Sequence, residues 1–440
     1  MRGNKNYWTD FAAKCREELL GNVMPFWMEH GWDRENGGVY TFLDRDGTLM
    51  DSTKSVWFQG RFGWMCAHAY NKVKRRREKG ESAEGSDSAF AKQRREWLEA
   101  SKSCCEFLEK HCFDRDGRAF FEVTAEGIGL RKRRYVFSEC FAAMAYAEYA
   151  LASGEKAWAR KAVSLFKRIR LFMSEPETYM PAKYTKEMKT QGHSLTMILI
   201  NVANVLKQVS NDPVLDRQIT ESVEALVKYF IHPEFKALLE TVGPNGEFID
   251  TMAGRTINPG HCIETSWFLM DVAVARKDNA LKETALKLLD WSWAWGWDDG
   301  RAGRATLPSI DEDVLVGSRV PRDRGGIISF RDCKGFSPQC YEQDMKFWWP
   351  QCEAIIATAY AYKLTGEKKY QKWHKLVSSW AWKHLKDRKF PEWYGYLHRD
   401  GTVAQPAKGN IFKGPFHIPR MLVKSMEICK EIETLKGEEI

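Results

Sequence analysis

Apolar residues recur at three- and four-residue intervals over long stretches of the chain, the spacing of a buried helical stripe. SECFAAMAYAEYALASG (138–154) is one such stretch, with Ser138 as a candidate N-cap and a glycine to close it. ALKLLDWSWAWGW (285–297) and WWPQCEAIIATAYAYKLTG (348–366) read the same way. Between the helical stretches a short motif recurs: an aromatic, Asp or Asn, a Gly-containing turn, then an aromatic or apolar pair. Its copies are GWDRENGGVYTFLDRDG (31–47), CFDRDGRAFFEVTAEG (112–127), VGPNGEFIDTMAGR (242–255), GWDDGRAG (296–303) and EWYGYLHRDG (392–401), with a weaker one at 177–187, ETYMPAKYTKE. Asp, Asn and Gly accept the φ values of tight turns, so each copy predicts a hairpin or turn. Six helix–turn units that cannot bury their apolar faces alone predict an all-α fold, an (α/α)6 toroid of six helical hairpins with short β-hairpin connections. Periodicity alone also fits an open helical array.

Residues 301–340 depart from this pattern, being rich in glycine, proline and β-branched residues. They predict a partly strand-like insertion on the rim, in the fifth connection. No shift in composition marks a boundary, so a single domain over 1–440 is expected.

Composition narrows the partners. Of 440 residues, 44% are hydrophobic and 13% aromatic, ample for a large core. Eighteen tryptophans are mostly core filling, though flat rings also match the C–H faces of sugars. A net charge of +8 is spread along the chain, and its two basic clusters, 73–80 and 131–135, do not interleave with aromatics as a strand-binding groove does. Nucleic acid is not the expected partner. Eleven scattered cysteines without a Cys-x-x-Cys pair argue against both a disulfide framework and a zinc site, and point to a reducing compartment. The polar start carries no signal peptide and no run of 18 apolar residues occurs, so a cytoplasmic protein that does not span a membrane is expected.

Phosphate-binding, dinucleotide-binding, His-Glu-x-x-His and Gly-x-Ser-x-Gly motifs are all missing. What remains is a set of His, Glu and Arg residues at the starts of apolar helices. KSVWFQGRFGWM (54–65) puts Trp57, Arg61 and Trp64 on one helical face. GHSLTMILI (192–200) opens on His193, and NPGHCIETSWF (258–268) sets His261 one turn before Glu264. FWWPQCEAI (347–355) carries Trp349 and Glu353, and KGPFHIPR (413–420) carries His417 and Arg420. Singly, a histidine at a helix start more often caps or packs, and a buried Arg–Glu pair more often braces two helices. Together, three histidines at equivalent helix entries fit a shared central pocket, because alternate helix starts of a toroid converge.

These segments resemble the N-acylglucosamine 2-epimerase family, in family order from residue 37 to 420. The most specific are NPGH-x-x-E-x-x-WF and KG-x-FH-x-PR. The insertion at 79–90 and the longer 301–340 segment depart from the family pattern. The resemblance implies an enzyme, an isomerase on an (α/α)6 barrel that interconverts N-acetylglucosamine and N-acetylmannosamine. His261 and His417 match the family's catalytic histidines. Arg61, His193, Glu264, Glu353 and Arg420 match its pocket residues, with Trp57 and Trp349 as further sugar-contacting candidates. It also implies no metal or redox cofactor, a nucleotide (ATP) as allosteric effector, and a homodimer. Rival readings are aldose–ketose isomerisation or disaccharide 2-epimerisation on the same fold, a glycoside hydrolase using Glu264 and Glu353, and a non-catalytic sugar- or protein-binding module.

Overall fold

In the computed structural model, the first long helix of the chain packs against the last, and that pairing closes a ring. The structure describes residues 6–73, 86–180, 187–299, 324–338 and 340–438. Among these, twelve long helices follow one another: α1 (Tyr7–Glu18), α2 (Val56–Lys72), α3 (Ser86–His111), α4 (Phe137–Ser153), α5 (Lys156–Ser174) and α6 (His193–Leu206). The second half adds α7 (Pro213–Ala225), α8 (Pro259–Arg276), α9 (Asn279–Gly296), α10 (Trp348–Thr365), α11 (Lys368–His384) and α12 (His417–Glu438). The even-numbered helices touch in the cycle α2–α4–α6–α8–α10–α12–α2, and each odd-numbered helix packs outside an even one. This is the (α/α)6 toroid that the periodicity predicted.

The two layers differ as their sequences require. Inner α4, α8 and α10 are buried almost all round through their first thirteen or more residues, whereas outer α5 buries a single stripe led by Trp158, Leu165, Phe166 and Ile169. Aromatic stacking ties the outer layer together: Trp293 lies 4.7 Å from Trp297 and 4.7 Å from Trp373 of the next hairpin. Such pairs contribute about 0.5–1.5 kcal/mol each beyond area burial. Gly154 and Gly366 close α4 and α10 in the left-handed conformation. Ser138, expected to cap α4, lies inside its first turn and makes no cap.

Four inner helix starts are fixed by two-residue antiparallel ladders. Lys54–Ser55, Gln191–Gly192, Thr256–Ile257 and Lys346–Phe347 pair with residues 122–123, 241–242, 331–332 and 396–397 respectively. Each ladder anchors the entry to one inner helix against the connection that follows it. The copies at 31–47, 112–127 and 392–401 form the hairpins expected. The copy at 242–255 is instead a turn followed by the short helix Met252–Arg255. The weak copy at 177–187 falls largely outside the described residues.

The first and fifth connections repeat one device. Gln59 accepts from the Val39 N–H at 2.7 Å and donates to its carbonyl at 2.8 Å; Gln351 does the same to Ile327 at 2.7 and 2.8 Å. Buried Lys54 pairs with Asp33 at 2.7 Å, and buried Lys346 with Asp298 at 2.9 Å. Gly37–Gly38 and Gly325–Gly326 all have positive φ, which only glycine adopts at little cost. GWD…GGV (31–39) and GWD…GGI (296–327) are therefore equivalent hairpins. The stretch expected as an insertion, 301–340, opens inside this second hairpin, which resumes at Gly325 and is closed by the bridge Trp297–Ile327, so its later residues follow the hairpin rather than interrupt it. Residues 301–323 and 339 of it are outside the described residues, and Arg331–Asp332 is the strand within the rest. Of the 79–90 insertion, residues 86–90 already belong to α3.

Candidate active site

Because the inner helices run parallel, their N-termini bring His193 of α6, His261 of α8, Trp349 and Glu353 of α10, and His417 of α12 to one end of the ring. Asn258 caps α8 by accepting from the His261 N–H at 3.2 Å, which fixes that histidine in the first turn. Trp349 lies against two of the histidines, its ring 5.0 Å from His261 and 5.9 Å from His417.

Each of these two rings is held by a carboxylate. His417 Nδ1 lies 2.9 Å from Glu353 Oε1, and His261 Nδ1 lies 3.0 and 3.1 Å from the two oxygens of Glu240. An ionised carboxylate can only accept, so both Nδ1 atoms donate and each Nε2 is left as the atom that takes up or gives a proton. Neither Nε2 has a hydrogen-bond partner among the described residues, and neither is sealed from solvent. The rings are thus presented to a common space for proton transfer.

Charge sets the two apart. Burial opposes a charged His261, but Glu240, with Glu264 and Glu353 behind it, raises the ring above its ordinary value. Burial, then Arg420 and Arg61, hold His417 well below it. His193 is fully buried and lowered by burial, with Nε2 2.8 Å from Thr265 Oγ1 and Nδ1 3.4 Å from Glu240.

Below the histidines, Arg420 Nη2 donates to Glu264 and Glu353 at 2.6 Å each, and Trp267 Nε1 donates to the other Glu353 oxygen at 2.9 Å. Arg420 is only 3% exposed, so it braces the carboxylates from beneath. A cavity of about 300 Å³, lined by Trp64, His68, Asp271 and Lys424, lies on its far side.

Arg61 is different. Its guanidinium sits among aromatic rings, 4.1 Å from Phe141, 4.7 Å from Phe416 and 5.1 Å from Trp57, with no carboxylate in ion-pair range among the described residues. Burial and Arg420 push it down to about 9, so it stays charged near neutrality. A cation kept in apolar surroundings without a counterion is costly unless an anion arrives. Trp57 is walled by Tyr135, Phe137 and Phe412.

Two groups of side chains have the spacing of metal ligands, His193–Glu240–His261 and Glu264–Glu353–His417. In the second, Arg420 Nη2 already stands where a cation would, 2.6 Å from each carboxylate and 3.4 Å from His417 Nδ1. In the first, the carboxylate is taken by His261 Nδ1.

All nine residues singled out from sequence lie at or around this end of the ring. Glu240, Thr265 and Trp267 were not among them. Glu240 ends the apolar run KALLE before a turn, and nothing in its spacing ties it to a helix start.

The likeness to known proteins runs the length of the chain. A family model described as N-acylglucosamine 2-epimerase matches residues 88–413. The N-acylglucosamine 2-epimerase of Bos taurus is 30% identical over 430 residues, 97% of this chain and 92% of that protein. The cellobiose 2-epimerase of Eubacterium cellulosolvens is 21% identical over 448 residues, covering 94% and 98%. Among solved structures, the cellobiose 2-epimerase from Spirochaeta thermophila DSM 6192 superposes with a TM-score of 0.75 at 18% identity, covering 99% of this chain and 100% of that one. Its likeness shows the toroidal fold, and the family match with the 30% identity shows the rest: the chain is a carbohydrate epimerase of the N-acylglucosamine 2-epimerase family.

Proposed function

We propose that this chain interconverts N-acetylglucosamine and its C2 epimer, N-acetylmannosamine, by moving the C2 proton between His261 and His417. The observation that carries this reading is the pair of carboxylate-held imidazoles, both against the Trp349 ring, each with an Nε2 that none of the described residues engages. The acylated amino sugar is favoured over a disaccharide because identity is 30% to the bovine acylglucosamine enzyme and 21–24% to the cellobiose enzymes.

Inverting C2 means taking a carbon-bound proton from one face and returning one to the other. The sugar ring opens first, so that the C1 aldehyde acidifies the C2 hydrogen. One histidine accepts that proton at Nε2, the electron pair moves into the C1–C2 bond, and negative charge collects on O1. The opposite histidine then protonates C2. Arg61 is the fixed cation for the O1 anion. The positive ends of the inner helices, which face the same space, work in the same direction. Glu353 and Glu240 hold the imidazoles, Glu264 and Arg420 lock Glu353, and Trp349 and Trp57 offer flat faces to the sugar. His193 sits behind His261.

The chemistry asks for no metal or redox cofactor, and activity after exhaustive chelation tests that. ATP as an allosteric effector and a homodimer belong to the same proposal on the family likeness; titration with ATP and sedimentation test them. The whole chain is taken as one catalytic domain, because α1 and α12 complete the ring from opposite ends. Eleven cysteines without a disulfide accord with a cytoplasmic setting, and no helix among the described residues is long and apolar enough to cross a membrane.

The deciding experiment incubates N-acetylmannosamine with pure protein in heavy water. The expected result is N-acetylglucosamine carrying deuterium at C2. A 2-ketose product would instead mean isomerisation, and no exchange at all would end the epimerase reading.

A further inference from the structure

Glu240 touches both histidines on one side of the pocket, and its backbone does likewise. Its N–H donates to the Thr256 carbonyl at 3.2 Å and its carbonyl accepts from the His193 N–H at 3.0 Å, so one residue ties the entries of α6 and α8. Its carboxylate reaches between the two rings, 3.0 Å from His261 Nδ1 and 3.4 Å from His193 Nδ1. The two contacts are not alike. Thr265 spends its hydroxyl proton on the His261 carbonyl at 2.8 Å, so it accepts from His193 Nε2–H. That leaves His193 Nδ1 without a proton and without a hydrogen bond, so Glu240 hydrogen-bonds to His261 while its charge also bears on the buried His193 ring.

Across the pocket the same arrangement is neutralised. Glu353 holds His417, yet its Oε1 also binds Arg420 at 2.6 Å, and Arg61 faces the same ring past Phe416. Around His261 the facing groups are Glu240, Glu264, Glu353 and the rings of His193 and Trp349. Around His417 they are Glu353, Glu264, Arg420, Arg61 and His261. The first set is anionic and the second carries two arginines.

We infer that Glu240 is a positioning residue that keeps His261 loaded with a proton in the free enzyme, while burial beside Arg420 and Arg61 keeps His417 empty, so that the two faces of C2 meet unlike partners. This deepens the two-histidine reading and rests on it. The free enzyme is set to take a proton at His417 and give one at His261. Turnover leaves His417 charged and His261 neutral, and a proton must pass from one to the other through solvent before the next cycle in the same direction.

The test is Glu240→Gln, with kcat/KM followed against pH and the histidine rings of the substrate-free protein titrated by NMR. Turnover of the epimer that His417 deprotonates needs His261 charged and His417 neutral, so its kcat/KM falls at high pH as His261 loses its proton. In Glu240→Gln that alkaline limb moves to lower pH by about 1 to 3 pH units, the range an adjacent opposite charge accounts for. The His261 ring titrates lower by a similar amount while His417 stays put. Glu240→Asp keeps the charge with shorter reach; it falls between the two and supplies the readout should the Gln variant not fold. A His261 titration that is the same in all three proteins overturns the inference. A shifted His261 titration with an unmoved alkaline limb upholds the loading by Glu240 and overturns instead the catalytic role of His261.

Discussion

His417 Nδ1 and Glu353 Oε1 stand 2.9 Å apart, and the same oxygen takes Arg420 Nη2 at 2.6 Å. One carboxylate thus orients a base and neutralises a buried cation. Glu353→Gln keeps an acceptor but removes the charge, leaving Arg420 with Glu264 alone. Breaking a buried pair costs about 3–5 kcal/mol, and the surviving Glu264 contact puts the expected loss near the lower end, about 3 kcal/mol. A comparison is Trp267→Phe, which removes the 2.9 Å bond to the other Glu353 oxygen and part of a buried ring but leaves the charges of Glu353 and Arg420 in place. Thermal melts and kcat read both: the Gln variant loses more in each, and its kcat falls further than its KM rises. Equal losses in the two variants would mean that Glu353 only packs.

Arg61 lacks a carboxylate partner among the described residues, and the expected partner is the anion that forms on O1 during the reaction. Arg61→Gln should leave circular dichroism and the melting point nearly unchanged, since no ion pair is broken. It should lower kcat by about 10²–10³, the loss typical of removing one donor to a developing oxyanion. A variant that binds weakly but turns over at the native rate would make Arg61 a ground-state contact only.

The toroid was legible because its evidence is periodic: apolar stripes and turn residues repeat along the chain. The entry residues His193, His261 and His417 were legible because each follows a turn and opens an apolar helix. Glu240 was not, because its role arises from a ladder pairing Gln191–Gly192 with Thr241–Val242, which carries it to α6 across many residues of chain. The seat of the insertion escaped as well. GWDDG looked like a finished turn, and only the clamp of Gln351 on Ile327 shows that the hairpin resumes at Gly325. Arg420 was readable as a pocket residue, but that it braces from beneath depends on side-chain direction, which spacing does not fix.

His374 makes stability depend on pH. It is wholly buried among Trp8, Phe11 and the Tyr7 hydroxyl, which donates to Nδ1 at 2.6 Å, and burial lowers it to about 3. An unfolded histidine titrates near 6.5. Between those pH values the unfolded state holds the extra proton, so stability falls as pH falls, by about 1.4 kcal/mol per pH unit. His374→Asn keeps an acceptor for Tyr7 but cannot take up the proton. Urea unfolding at pH 6.5 and 4.5 should show the native chain losing about 2–3 kcal/mol more than the variant over that interval. Parallel losses would place the acid sensitivity elsewhere.

The sharpest expectation concerns the two histidines themselves. On the two-histidine reading, with both rings against Trp349, each histidine serves one face of C2. Replacing one ring removes transfer on its face and leaves the other ring able to exchange the proton on its own. His261→Asn and His417→Asn should therefore both fold, bind sugar and lose epimerisation. Each should still exchange the C2 hydrogen of one epimer with heavy water, and not the same epimer. The unlike loading of the rings adds a direction to this: the variant that keeps His417 retains a base that is neutral in the free enzyme, so its exchange should persist to lower pH. Proton NMR of both sugars, incubated separately with each variant, reads all of it. If either variant turns over within about tenfold of the native rate, the loss is too small for a general base, which is worth about 10²–10⁴. That ring would then serve only to hold its helix entry in place.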